Sequence, residues 1–314
     1  MDIRAVLIEN TACELKQIFL ACDKIILAQA REIRVRLGLP LSVKTFDGEY
    51  FIAADGKATN DANKSYRPTS QDITQIVERV SKFSLYAYDS DIKNGFVTIP
   101  GGHRLGLSGK MTIENGKIKT IKYISGLNIR VAREVKGAAD AIMPHLTGAL
   151  GQINSTIFVS PPGCGKTTVL RDVVRQLSCA GKNVAVIDER SEIAGCFMGA
   201  AQNDLGPRVD VLDGAPKEAG MMMALRALSP DVIAVDEIGS EKETQAVRYM
   251  AQSGVAVLCS VHASGVEDLV LQPALAGLSA MKIFKRYVVL SDKPTPGSVV
   301  GIYNEELCKM GYGA

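Results

Sequence analysis

The stretch that most narrows what this chain can fold into is Ser160-Pro161-Pro162-Gly163-Cys164-Gly165-Lys166-Thr167-Thr168. An apolar run, Thr156 to Val159, precedes it, and a helical pattern, Val169 to Leu177, follows it. A strand, a glycine-rich turn and a helix in that order make a phosphate cradle, because the turn aims backbone N–H groups at an anion. Lys166 can reach the outer phosphates, and the Thr167 hydroxyl can sit on Mg²⁺. The expected contact set around the phosphates is therefore Pro161, Pro162, Gly163, Cys164, Gly165, Lys166, Thr167 and Thr168. The pattern G-x-x-x-x-G-K-[ST] is met everywhere except its first position, where Ser160 stands for Gly. A backbone angle open only to glycine would be lost there, although Pro161 and Pro162 stiffen the entry. Cys164 is expected to be exposed near positive charge, as a small filler more than as a reactive thiol.

From residue 153 onward, short apolar runs alternate with helical patterns, which is how a parallel sheet with crossover helices is written. The strands fall at 155–159, 183–188, 231–236, 255–261 and 285–290, with 298–303 at an edge. An open parallel sheet binds ligand at the carboxyl ends of its strands. The polar residues there are Asp188-Glu189-Arg190, Asp236-Glu237, Ser260 and His262. Asp236 is the second expected Mg²⁺ holder, and Glu237 is placed to orient and polarise an attacking water. His262 is read as a sensor of the outer phosphate, against the alternative of a structural strand-end histidine. Glu189 and Arg190 fit either the site or a structural ion pair. Arg208 and Arg226 are candidate interface arginines, with structural pairing favoured for Arg226. Met221-Met222-Met223 is three adjacent helical residues, so core packing accounts for it better than a partner groove does.

The front half reads as α+β. Apolar helical patterns cover Ile3–Ile8 and Cys13–Ala28. Glu32-Ile33-Arg34-Val35-Arg36-Leu37 alternates strictly, as a half-buried strand does. Leu41–Thr45 and Tyr50–Ala53 flank the turn Asp47-Gly48. Thr69 followed by Asp72 opens a helix. Phe96–Ile99, His103–Gly109 and Ile118–Ile121 read as a small antiparallel set, and Ser125–Arg133 alternates again at its core. The expected layout is an N-terminal α+β domain over 1–136, a joint over 137–152 and an α/β domain over 153–314.

Composition adds limits rather than identity. The net charge of +2 argues against a strongly electrostatic nucleic-acid binder. Residues 1–150 carry 21 Lys/Arg and 16 Asp/Glu, a surplus of +5, and the rest is at −3. That asymmetry suits head-to-tail contacts or an anionic partner, or is scatter. The 7 cysteines are odd in number and include no C-x-x-C, which reads as buried reduced thiols rather than disulfides or zinc. No apolar run is long enough to span a bilayer, and the first residues lack a signal-peptide core, so membrane association is expected to be peripheral.

Together these motifs resemble a known family, the stage III sporulation AA proteins of endospore-forming bacteria, related to the hexameric secretion ATPases of type II and type IV systems. The resemblance rests on Glu32–Gly38, Gly102–Gly106, Leu127–Glu134, Pro161–Thr168, Asp188–Gly195, Arg208–Gly214 and Val235–Gly239. It implies a RecA-like P-loop ATPase domain behind a smaller N-terminal α+β domain, assembled as a ring, with hexamers expected. It implies ATP hydrolysis with Mg²⁺ that energises a channel between mother cell and forespore. The partners would be further copies of the chain and membrane-embedded channel proteins, with no direct nucleic acid, and the location the cytoplasmic, mother-cell face of the membrane. Ser260–Ala263 is similar to the histidine box of secretion ATPases, and Asp188-Glu189 takes their acidic-box position. Arginines of the N-terminal domain would complete a neighbour's site, with Arg104, Arg130 and Arg133 as candidates beside Arg208. Two other readings stay open: an RNA- or DNA-binding P-loop motor, and a nucleotide-gated scaffold that does not turn ATP over.

Overall fold

The computed structural model describes residues 2–81, 95–114, 116–148 and 151–311. The chain divides into two compact units, one of Met1–Arg133 with Gly195–Gln202 and one of Glu134–Ala194 with Asn203–Ala314.

The first unit is built on an antiparallel sheet. Its strands are β1 (Glu32–Arg36), β2 (Ser42–Lys44), β3 (Glu49–Ile52), β4 (Ala58–Thr59), β5 (Phe96–Ile99), β6 (His103–Glu114) and β7 (Lys117–Arg130). Their order is β4-β3-β2-β1-β7-β6-β5. The alternation in β1 does what period two requires: Ile33 and Val35 are buried, and Glu32, Arg34 and Arg36 are not. Helices Ile3–Asn10, Cys13–Ala21 and Ser70–Val80 supply Leu7, Leu15, Phe19 and Ile73 to the same core. Thr69 caps the last of these: its hydroxyl accepts the Asp72 N–H, and the Asp72 carboxylate accepts the Thr69 N–H at 2.8 Å.

Two readings of this half need correction. The pattern over Cys13–Ala28 is two helices, because Asp23 takes the Ile25 N–H at 2.8 Å and starts Lys24–Gln29 afresh. Ile118–Ile121 and Leu127–Arg130 belong to one strand, β7, whose irregular pairing with β6 between Ser108 and Lys110 interrupts the alternation.

In the second unit every strand but the last runs parallel. The strands are β8 (Thr156–Val159), β9 (Val184–Asp188), β10 (Val209–Asp213), β11 (Val232–Glu237), β12 (Ala256–Val261), β13 (Arg286–Ser291) and β14 (Ser298–Tyr303). Their order is β10-β9-β11-β12-β8-β13-β14, with β14 antiparallel to β13 at the edge. Every residue of β8, β9 and β12 is buried. Such strands have both faces covered. Helix Lys166–Cys179 brings Val169, Leu170, Val173 and Val174 to the sheet. Met221, Val247, Met250 and Leu278 pack with Ile187, Ile233 and Val257 in one apolar cluster. Met222 is half-buried and Met223 exposed, so only one of the three adjacent methionines is wholly in the core.

The sequence reading missed β10. Its signal is weak because Val209 and Val211 alternate with Asp210 over one short, half-exposed edge. The stretch 137–152 falls in the second unit and contains the short helix Met143–Leu146. Among the described residues no helix is long and apolar enough to cross a membrane.

Candidate functional site

The phosphate loop leaves the end of β8 and enters helix Lys166–Cys179 through Gly165, whose φ of 85° is left-handed. Gly163 is left-handed too, at φ 80°. Ser160 has no positive φ, so nothing in its backbone calls for the glycine that the motif usually has there. Gly165 is constrained twice. A Cβ on it would lie 2.7 Å from the backbone nitrogen of Gly297, and the Gly297 N–H donates to the Cys164 carbonyl at 2.9 Å. The β13–β14 connection therefore braces the loop from outside. Cys164 is buried rather than exposed, its thiol turned back to the Pro162 carbonyl at 3.8 Å.

Lys166 is only 6% exposed. Its ammonium donates to the carbonyls of Ser160 and Pro161 at 2.8 and 3.1 Å and to His262 Nδ1 at 2.8 Å. Burial pulls its pKa down from the ordinary lysine value, opposed by the negative charge of Glu237 nearby. With an ammonium donor facing Nδ1, the ring proton belongs on Nε2, and Nε2 meets Glu237 Oε2 at 2.9 Å. Lys166, His262 and Glu237 thus form one hydrogen-bonded chain across the ends of β8, β12 and β11.

Asp236 and Glu237 are adjacent, and a regular strand would send them to opposite faces. The pairing with β12 slips here, from Val235 opposite Cys259 to Glu237 opposite Ser260. The resulting bulge brings both carboxylates into one cleft. Asp236 accepts the Ser260 hydroxyl at 3.1 Å and the Thr167 hydroxyl at 3.4 Å. Burial, then the negative charge of Glu192 and Asp188, raises its pKa to about 6. Thr167 and Asp236 together present two oxygens of the hard kind Mg²⁺ prefers, one on the loop's helix and one at the carboxyl end of a strand.

The cleft has a volume of about 350 Å³. It is lined by Asp188, Glu189, Glu192, Asp236, Glu237 and Glu243, with Arg190 and Lys217 as its cations and His262 beside them. Asp188 is fully buried and accepts the N–H groups of Glu192, Ile193 and Ala194 at 2.7, 3.0 and 2.7 Å. It shapes the turn that presents Glu192. Arg171 holds that turn from the other side, donating to the carbonyls of Ile193 and Glu192 at 2.7 and 2.6 Å. Glu189 faces the cleft and pairs with Lys217 at 3.5 Å.

The arginine candidates divide. Arg104 and Arg130 are directly opposite on β6 and β7, and the Arg104 guanidinium stacks on Phe96 at 4.6 Å. Arg133 donates to the carbonyls of Ala28 and Ala30 and covers the Phe46 ring at 4.8 Å. Arg208 is exposed at the amino end of β10, the opposite end of its strand from the cleft, so it does not reach the loop of its own chain. Sequence reasoning missed Lys217, Glu192, Glu243 and Gly297. Two of them carried a local signal: Glu243 as the third residue after Ser240 in a capping box, and Glu192 inside the motif Asp188–Gly195.

The model of a protein family described as "Sporulation stage III, protein AA" matches residues 2–310. The chain is 38% identical over 283 residues to Stage III sporulation protein AA of Bacillus subtilis (strain 168), covering 88% of each. It is 26% identical over 154 residues to the putative type II secretion system protein E of Escherichia coli (strain K12), covering 45% of this chain and 30% of that one. The solved structure of the pilus retraction motor PilT with bound ADP resembles it at a TM-score of 0.55 and 15% identity, covering 85% of this chain and 76% of that one. That likeness is one of fold: a RecA-like P-loop domain with a smaller α+β unit ahead of it.

Proposed function

Since the chain belongs to the sporulation stage III, protein AA family, we propose that it is a Mg²⁺-dependent ATPase that works as a ring of copies, six in number. In this reading it energises a channel between mother cell and forespore, docking from the cytoplasmic, mother-cell side onto membrane-embedded partners. The observation that carries the reading is the chain of contacts from Lys166 through His262 to Glu237, beside the Thr167–Asp236 pair.

Each residue has a task that follows from its surroundings. The amides from Gly163 to Thr168 and the Lys166 ammonium bind the phosphates, the lysine exchanging its present carbonyl acceptors for phosphate oxygens. Thr167 and Asp236 hold Mg²⁺, which supplies neutralisation of charge on the outer phosphates. Glu237 orients a water for in-line attack, and His262 fixes the carboxylate that does so. Glu189 belongs to the acidic wall of the cleft. Arg104 and Arg130 act on a neighbouring copy, as does Arg208, which cannot serve its own loop. Arg133, tied to two carbonyls of its own unit, is the weakest of the four in this role.

Glu237→Gln tests the reading against a scaffold that binds without turnover. ATP affinity is expected to stay within about threefold, while phosphate release falls by about 100-fold or more. Turnover equal to the parent's in that variant, or no Mg²⁺-dependent nucleotide binding by the parent, would refute it.

A further inference from the structure

Glu237 can act on a water only if its backbone is fixed as well as its carboxylate, and a bulge is a poor place to rely on sheet pairing for that. The second unit has a device for it. Lys217, the first residue of helix Lys217–Ala227, reaches into the cleft with its side chain 13% exposed. Its ammonium donates to the main-chain carbonyl of Glu237. The same ammonium lies 3.5 Å from Glu189 Oε2 and 3.6 Å from Glu243 Oε1. The other oxygen of Glu243 accepts the N–H groups of Gly239 and Ser240 at 2.9 and 2.8 Å. The turn after β11 is thus held on its carbonyl by Lys217 and on its amides by Glu243, and those two side chains face each other.

We propose that Lys217 is a positioning residue for hydrolysis: through the Glu237 carbonyl it sets where the Glu237 carboxylate sits, and it locks Glu189 and Glu243 to the same point. The inference rests on the role given to Glu237 above. Two physical arguments support it. A lysine withdrawn from water needs acceptors, and here it finds one carbonyl and two carboxylates, so its position is fixed by all three. Without its charge, Glu189 and Glu243 lose the cation they both face, and the Glu237 carbonyl loses its donor. A small shift of a water-orienting group is costly in rate while leaving ground-state binding intact.

The experiment compares Lys217→Met, Lys217→Arg, Glu237→Gln and the parent, using full-length protein. Steady-state phosphate release gives kcat and KM, a fluorescent ATP analogue with Mg²⁺ gives affinity, and thermal melting monitors folding. Lys217→Met is expected to lower kcat by about 10- to 100-fold with nucleotide affinity within about threefold of the parent. Lys217→Arg, which keeps a donor and a charge, is expected to recover part of that loss. An unchanged kcat in Lys217→Met overturns the proposal. So does a fall in affinity and melting temperature that matches the fall in kcat, because that is what a merely structural ion pair would give. Turnover that survives Glu237→Gln refutes the reading of the cleft itself. Turnover that is lost in Glu237→Gln but untouched in Lys217→Met refutes only the role of Lys217.

Discussion

The two sheets of this chain solve the same burial problem differently, and the difference decides where chemistry can sit. In the antiparallel sheet, β1 buries every second residue and leaves Arg34 outward. In the parallel sheet, β9 buries all five residues. A strand covered on both faces has no free face to carry a functional side chain. Its polar residues are forced to its ends, which is why Asp188, Asp236, Glu237 and His262 share one rim. The first sheet keeps its charge on an open face, where Arg104 and Arg130 stand side by side. One unit concentrates acids at strand ends, and the other spreads cations over a surface.

The largest expected effect comes from a pair of glycines, one in each unit. Gly165 has φ +85° and would bring a Cβ within 2.7 Å of Gly297. Gly38 has φ +66° and nothing within 4 Å. Gly165→Ala should displace the phosphate loop and weaken Mg-ATP binding by about 3 kcal/mol, roughly 100-fold. Gly38→Ala should lower stability by about 1 kcal/mol and leave nucleotide affinity alone. Equilibrium binding and urea unfolding of both variants check this, and equal affinities would break the contrast.

Next come neighbouring strand positions. In β9, both Val186→Ala and Ile187→Ala should be destabilising by about 2–4 kcal/mol, because both faces are packed. In β1, Ile33→Ala should cost as much, while Arg34→Ala should stay within about 0.5 kcal/mol, since its ion pair with Glu32 is part-exposed. A large loss at Arg34 would mean that the open face is covered by something else.

Buried acids give a smaller, pH-dependent effect. Asp172 is on the loop's own helix, 3% exposed, and accepts hydrogen bonds from the Ala139 N–H at 3.0 Å, Arg175 at 2.8 Å and Gln176 at 2.9 Å. Burial pushes its pKa up, but these donors outweigh it and hold the carboxyl below the ordinary aspartate value. A depressed carboxyl stabilises the fold above the unfolded pKa, and the contribution is lost as pH falls through the folded one. Asp172→Asn should therefore be less stable than the parent at pH 7, by about 2 kcal/mol, with the gap narrowing as pH falls below the ordinary aspartate value of 3.8. A gap independent of pH would show that the carboxylate's charge is not what matters.

Much of this was legible because local signals and global fold agreed. The phosphate loop, the apolar runs of β8, β9, β11 and β12, and the alternation of β1 each announced their element and its burial. What stayed hidden depends on contacts between distant segments. Nothing near Lys217 says that its ammonium meets the carbonyl of Glu237, and nothing near Gly297 says that it braces Cys164. The bulge that turns Asp236 and Glu237 into one cleft is a property of the pairing with β12 and has no mark in β11 alone. A phosphate loop is a surface feature and so points to an exposed Cys164, yet the loop's own turn folds the thiol inward.

The smallest effect separates local from functional capping. Helices Ser70–Val80 and Glu241–Gln252 both begin with a capping box, Thr69 with Asp72 and Ser240 with Glu243. Removing either hydroxyl leaves one amide without its acceptor, which costs about 1 kcal/mol. Thr69→Ala should show that loss alone, in unfolding and in nothing else. In Ser240→Ala the same loss falls on the turn whose amides Glu243 holds and whose carbonyl Lys217 holds. Its kcat should drop by a few-fold beyond what the fraction unfolded explains, because the turn carries Glu237. If both substitutions cost the same stability and neither touches turnover, then the capping box at Ser240 does no more than start a helix, and the positional restraint on Glu237 resides in Lys217 and His262.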